Sequence, residues 1–319
     1  MKKYERILLT LAFLILFFLM LINPVESLYF AFTGLTLWFQ KMIPTLFPFM
    51  ILSGIMVRMN LTEYFSALLT PVLKPLFKVS GHGAYCMIMG FLCGFPMGAK
   101  VIADLYEREK LSYEEASYLL AFCNNIGPIY FVSFVLPLLG LKKTLPYLFG
   151  MYGIPLLYGI LLSRSRVFQK NQEKRRIGQE LKAASAKQDK DSVLAHIDAS
   201  IMSGIENITR LGGYMILFNL LNLFPSMCLP KSTLPIINAL LEITSGISRI
   251  GPSMPLAVLL LLPFGGFSCI AQTYSIIKNT DLSISAYCIH KIILTLFTAV
   301  FYGIWIGIHW LFPAAPFLP

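Results

Sequence analysis

The sequence predicts an all-α integral membrane protein built from two repeats of inverted topology, each with a re-entrant helical hairpin and a broken helix. Three observations carry this. The residues are 56% hydrophobic and only 13% charged, against about 25% charged in an average soluble chain; that leaves too few polar groups to clothe a water-facing surface. Thirteen of the 42 charges fall between Arg164 and Asp191, so long uncharged runs remain elsewhere, as hydrocarbon requires. Two uncharged, glycine-centred segments, 83–99 and 252–277, stand in corresponding places on either side of that charged stretch.

The formal charge of +10 does not point to nucleic acid. The basic residues sit at the N-terminus (Lys2, Lys3, Arg6) and in the 164–191 stretch, with no basic face interleaved with aromatics. Retention of Lys and Arg in cytoplasmic loops accounts for them. The six cysteines lie in apolar segments without metal-ligand spacing, and the four histidines form no H-x-x-x-H or H-E-x-x-H pair, so no cofactor, metal or enzymatic chemistry is expected.

Residues 7–22 are apolar behind a basic start. The run is long for a signal-peptide core and no A-x-A site follows, so an uncleaved first span is favoured. Residues 28–42 form an amphipathic piece too short to cross, and 43–57 a span opened by Pro44 and Pro48. Residues 62–78 carry an apolar stripe with Lys74 and Lys78, suiting a helix lying in the interface. Ser112 and Glu115 give the S-x-x-E pattern of a capping box, opening a helix over 112–139 that breaks at Asn124-Asn125-Ile126-Gly127-Pro128. A span follows at 144–162. After the linker come an amphipathic stretch 193–210, a span 211–229, a short helix 234–248, the second glycine segment, and a long helix from Leu282 to about Phe312. The expected organisation is thus an N-terminal transmembrane helix (1–27), a first repeat plus one extra span (28–163), a basic cytoplasmic linker (164–192) and a second repeat (193–319). Trp38 and Trp310 suit interfacial belts.

The two halves overlay by hand. Phe95-Pro96-Met97-Gly98-Ala99-Lys100 aligns with Phe267-Ser268-Cys269-Ile270-Ala271-Gln272, and Leu111-Ser112 with Leu282-Ser283. The glycine segments read either as ordinary transmembrane helices or as hairpins whose arms of about 11 residues, roughly 16 Å of helix, reach the middle of a core about 30 Å thick. Charge selects the hairpin for the first. If the N-terminus and linker are both cytoplasmic, the first half crosses an even number of times, at 7–22, 43–57, 116–139 and 144–162. The span at 43–57 then enters from outside and that at 211–229 from inside, an inverted pair such as secondary transporters use.

At GFLCGFPMGAKVIADLYEREKLSYEEASYLLAFCNNIGP, residues 90–128, the sequence resembles the sporulation integral membrane protein YlbJ family; Trp38 followed by Pro44-x-x-x-Pro48-Phe49 fits it as well. The resemblance is strong over roughly 35–135 and weaker over 200–310. That family lies within the group carrying nucleoside-recognition, or Gate, domains, with the membrane part of ferrous iron transporter B and the spore maturation proteins A and B. The resemblance implies Gate-type repeats and a role in endospore formation, by way of spore cortex assembly. It implies transport only by analogy with concentrative nucleoside transporters, whose two hairpins hold the substrate.

The candidate substrate-binding residues follow from the breaks. Gly94, Phe95, Pro96 and Gly98 form the first tip, where freed carbonyls and a helix N-terminus face a solute; the alternative is a close helix contact through G-x-x-x-G. Lys100 pairs with an anionic solute or with Asp104, or snorkels to the interface. Asn124 and Asn125 offer two carboxamides at a proline break, for a nucleobase, amide or cation, or else cap the break locally. Glu242 is an acid in an apolar helix, and Gly266, Ser268 and Gln272 mark the second tip. Glu206 and Arg210, four apart, are expected to pair structurally. The partners expected are the lipid bilayer and a small polar solute, with a homo-oligomer left open and no nucleic acid. Two functions stand beside each other: a transporter or channel for that solute, and a non-transporting scaffold that recruits cortex-assembly proteins through the linker.

Overall fold

A computed structural model describes residues 3–141, 144–165 and 192–311, with the backbone alone for Lys3 and for 306–311. The linker, but for its ends, and the side chain of Trp310 lie outside the described residues. Among those described, every regular element is helical, and six stretches are long and apolar enough to cross a membrane. Helix α1 (Lys3–Ile22) shows why the medium must be hydrocarbon: Phe13, Phe17 and Leu21 are each more than half exposed, and every such face would cost about 25 cal/mol per Å² in water.

Helix α2 runs unbroken from Pro24 to Arg58, 35 residues. This corrects the division at residue 42, since the amphipathic piece and the following span are one rod of about 52 Å. Its only irregularity is a π-helical turn at Trp38–Met42. Pro44 cannot donate to Gln40 and its ring crowds that carbonyl, so the turn ahead of it widens. The same device recurs at Phe131–Val135 before Pro137 and at Phe149–Gly153 before Pro155. Trp38 is half-buried against the second half of the chain. Its indole Nε1 donates to the Ile208 carbonyl at 2.7 Å.

Short helices α3 (Thr62–Ser66) and α4 (Thr70–Phe77) leave Tyr64 and Leu68 more than 80% exposed. The chain then bends by 97° into α5 (Gly81–Cys93), which turns at Gly94–Pro96 into α6 (Met97–Glu107). Ser80 caps α5, accepting from the Gly83 N–H at 3.0 Å. Helix α7 (Tyr113–Phe122) has half of its expected capping box. Ser112 Oγ accepts from Glu115 N–H, but the Glu115 carboxylate reaches away to the Ser80 N–H at 2.6 Å, tying α7 to the start of the hairpin. The helix expected over 112–139 is interrupted as its Asn-Asn-x-Gly-Pro run implies: α8 (Pro128–Leu138) follows five residues without helix. Helix α9 (Leu145–Ser163) completes the first half.

In the second half α10 (Val193–Leu220) takes up the amphipathic stretch and the start of the span; α11 (Leu223–Cys228) ends it. Helices α2 and α10 pack antiparallel. Gly34 abuts Met215, Phe47 abuts Gly204, and Gly54 abuts Ser200, small residues permitting close approach. Next, α12 (Leu234–Leu241) and α13 (Ile243–Ile250) fold back on each other, so tightly that a Cβ on Gly246 would stand 2.1 Å from Ala239 Cα. The single helix expected at 234–248 is therefore two, cornered at Glu242. Conversely, α14 (Pro255–Phe264) and α15 (Gly266–Ile277) do not fold back. They form one 23-residue stretch long enough to cross, interrupted at Gly265 and Gly266, whose φ angles are +82° and +76°. Two consecutive left-handed glycines break the hydrogen-bond ladder here without reversing the chain, and the second half's hairpin lies at 234–250 instead of 252–277. Helix α16 (Ile284–Leu311) follows. At the tips the hand-aligned segments differ, since the chain turns back at Gly94–Pro96 but runs on through Gly265 and Gly266; the helix starts that follow share a serine cap. Ser283 Oγ accepts from Ala286 N–H as Ser112 Oγ does from Glu115, and Tyr106 donates to Asp281 at 2.6 Å, which pushes that exposed phenol up to about 12.

Two measurements check this packing. Gly246→Val should destabilise the purified protein by about 1–3 kcal/mol in thermal unfolding, whereas Gly303→Ala, with nothing within 4 Å of its new methyl, should stay near wild type. Cysteines introduced at Lys74 and Arg108, in a background with Cys228 and Cys288 replaced by serine, should react with an impermeant maleimide from the same side of the membrane.

Candidate functional site

The five residues between α7 and α8 are the centre of the molecule. A helix interrupted at Cys123–Gly127 frees carbonyls that hydrocarbon cannot satisfy, so neighbouring elements must. The first tip supplies one partner: Phe95 N–H donates to Asn125 O at 2.5 Å. Gly94, at φ +80°, is required there because a Cβ would fall 2.2 Å from Gly127 N. A Cβ on Gly98 would fall 2.6 Å from the Cys123 carbonyl oxygen, so α6 begins against the break itself. The Phe95–Pro96 peptide is cis.

Asn124, fully buried, joins three elements. Its Oδ1 accepts from Ala99 N–H at 3.3 Å, capping the first turn of α6 from across the interface. Its Nδ2 donates to Thr273 Oγ1 of α15 at 3.1 Å and to Tyr287 Oη of α16 at 3.0 Å. Asn125 Nδ2 donates to Phe122 O at 2.6 Å. Of the two roles expected for the pair, local capping of the break is the one these contacts show, and the remaining carboxamide groups are engaged by neighbouring protein elements.

Lys291 is the residue that sequence reasoning missed. Its side chain is 2% exposed, and Nζ donates to Asn124 O at 2.5 Å and to Asn125 Oδ1 at 3.1 Å. The available signal was a single lysine within an otherwise apolar span, Ile284–Trp305, which is costly without a purpose.

Glu242 and Gly266 lie together beside this centre. Glu242, 1% exposed, caps α13 by accepting from Thr244 N–H at 3.1 Å and Ser245 N–H at 2.7 Å. A Cβ on Gly266 would stand 3.0 Å from Ala239 O on the facing hairpin, and the Phe95 ring approaches Gly265. Between α2, the first tip and the start of α13 is a cavity of about 40 Å³ with a largely apolar lining that includes Leu46, Phe49, Phe95, Ile126, Tyr130 and Thr244. It is far below the ~300 Å³ of a typical ligand pocket. The remaining candidates lie to one side. Lys100 pairs with Asp104, Gln272 donates to Ser268 Oγ at 2.9 Å, and Pro96, Lys100 and Gln272 border a second recess of about 10 Å³ with Asn207 and Arg210. Arg210 pairs with Glu206 at 2.5 Å, as its spacing implies.

With this geometry in view, the curated relatives give one informative match. The sporulation integral membrane protein YlbJ of Bacillus subtilis (strain 168) is 25% identical over 342 aligned positions, covering 94% of this chain and 83% of that protein. The chain is a homologue of it. The likeness to the YlbJ family read at residues 90–128 therefore extends over nearly the whole length, and the chain is a multi-pass membrane protein. No family model and no solved structure matches it.

Asn124→Ala would remove the acceptor of the Ala99 N–H and the amide donor shared by the Thr273 and Tyr287 hydroxyls. It should lower stability by more than about 2 kcal/mol in thermal unfolding, and more than Gln272→Ala, whose hydrogen bond is confined to one helix.

Proposed function

We propose that the chain is a sporulation-associated membrane protein that passes a small polar solute through the place where its helix breaks converge, with two inverted Gate-type repeats arranged about that place. The observation that carries this reading is the buried Lys291–Asn124–Asn125 cluster, with a second buried ionisable group, Glu242, at the corner that faces Gly266. Polar and charged groups at membrane depth are expensive and ordinarily mark a solute or ion path. The antiparallel pairing of α2 with α10 supports the inversion, and the convergence of tip 94–98 with corner 242–245 and break 265–266 supports a shared site. Sporulation enters through the homologue. With the N-terminus and linker cytoplasmic, the first half crosses through α1, α2, α9 and the broken pair α7–α8. The hydrogen-bonding groups of the centre are engaged with one another and the cavity is small, so this conformation is the occluded one. Solute entry requires a tip to withdraw.

The closed centre also suits a second reading, a scaffold that recruits cortex-assembly proteins and moves nothing. Two experiments separate them. Protein reconstituted in liposomes should carry one of nucleosides, dicarboxylates or amino acids, with Asn124→Ala reducing the flux at least about tenfold, the loss expected when more than 1.4 kcal/mol of site organisation is removed. Absence of flux for every class, in wild type and variant alike, counts against transport. Replacing residues 166–190 with a Gly/Ser linker should leave sporulation intact if transport is the function and abolish it if recruitment is.

A further inference from the structure

An unwound helix inside a membrane collects carbonyl oxygens, and in many carriers such oxygens hold a small cation. Here the oxygens freed at the break have identifiable occupants. Asn125 O takes the Phe95 N–H. Asn124 O and Asn125 Oδ1 both point at one atom, Lys291 Nζ, at 2.5 and 3.1 Å. The Tyr287 ring faces the same ammonium, 5.6 Å from its centroid, the geometry of a cation–π contact. No carboxylate stands within ion-pair distance of Lys291 among the described residues. The ligands are what a Na⁺ or K⁺ ion would be given, neutral oxygens plus a π face, and the cation sits on the end of a side chain.

We propose that Lys291 is a tethered cation filling a monovalent-cation site built by Asn124 O and Asn125 Oδ1, so that no free Na⁺ or K⁺ binds at this centre. Residue 291 lies on α16 while both oxygens belong to the α7–α8 break, so the tether also pins the break to α16. The proposal rests on the transport reading only for one consequence, that solute movement is not driven through this site by a Na⁺ or K⁺ gradient. The binding claim itself needs no transport.

The geometry dictates a probe. Lys291→Ala removes everything beyond Cβ, three carbons and the ammonium, which is the shape of n-propylammonium. In nanodiscs at constant ionic strength, the alanine variant should unfold at a lower temperature than wild type. Its midpoint should then rise saturably with n-propylammonium chloride and not with tetramethylammonium chloride, which cannot donate a hydrogen bond. Wild type should unfold at the same midpoint in NaCl, KCl and choline chloride. A folded alanine variant that n-propylammonium does not restore overturns the proposal. So does a wild-type midpoint that rises saturably with Na⁺ or K⁺ and loses that response in Lys291→Met. Should the alanine variant not fold, the wild-type salt comparison decides alone. Because none of these readouts involves solute flux, a negative result in liposomes leaves the cation assignment standing, and the reverse holds as well.

Discussion

The rest of this structure depends on how five unwound residues satisfy their hydrogen bonds where water is absent. An unpaired amide or carbonyl in hydrocarbon costs several kcal/mol, and the run Cys123–Gly127 frees several of them together. The solution is to bring other elements to the break. The tip after α5 supplies an amide, the first turn of α6 accepts a carboxamide cap, α15 and α16 supply hydroxyls, and α16 supplies an ammonium. Each contact fixes a neighbour, so the placement of the hairpin and of the last two helices follows from the break.

That dependence explains what could be read from the sequence and what could not. Residues with local consequences were legible. Gly94, Pro96 and the Asn124-Asn125-x-Gly-Pro run break helices wherever they occur, and Lys100 with Asp104 or Glu206 with Arg210 are a helical turn apart. The contacts across the fold were not. Lys291 sits 166 positions from Asn125, and only tertiary structure brings them together. The second hairpin was misplaced for a related reason. Gly265-Gly266 is the stronger turn signal by composition, yet the reversal occurs at Glu242. A carboxylate can terminate one helix and cap the next there, accepting two amides of the following turn, whereas the glycine pair has no such partner. The expected site residues fall into two groups: Gly94, Phe95, Asn124 and Asn125 meet at the centre, while Lys100, Ser268 and Gln272 take partners in their own helices.

The two long helices α2 and α10 set the outer frame. Both exceed the 20 residues a bilayer needs, and their contact runs through Gly34, Gly54, Ser200 and Gly204. Close approach compensates for the absence of a hydrophobic drive between helices already surrounded by lipid.

The widened turns at Trp38–Met42, Phe131–Val135 and Phe149–Gly153 have a consequence for azimuth. Each holds one residue more than an α-helical turn, and one residue is about 100° of rotation about a helix axis. A proline at residue 44, 137 or 155 therefore decides which side chains beyond it look inward. Were any of these prolines lost and the turn to tighten to regular α-helix, the helix beyond it would rotate by that angle. Its lipid-facing and protein-facing stripes would be redistributed without any change in its length or hydrophobicity.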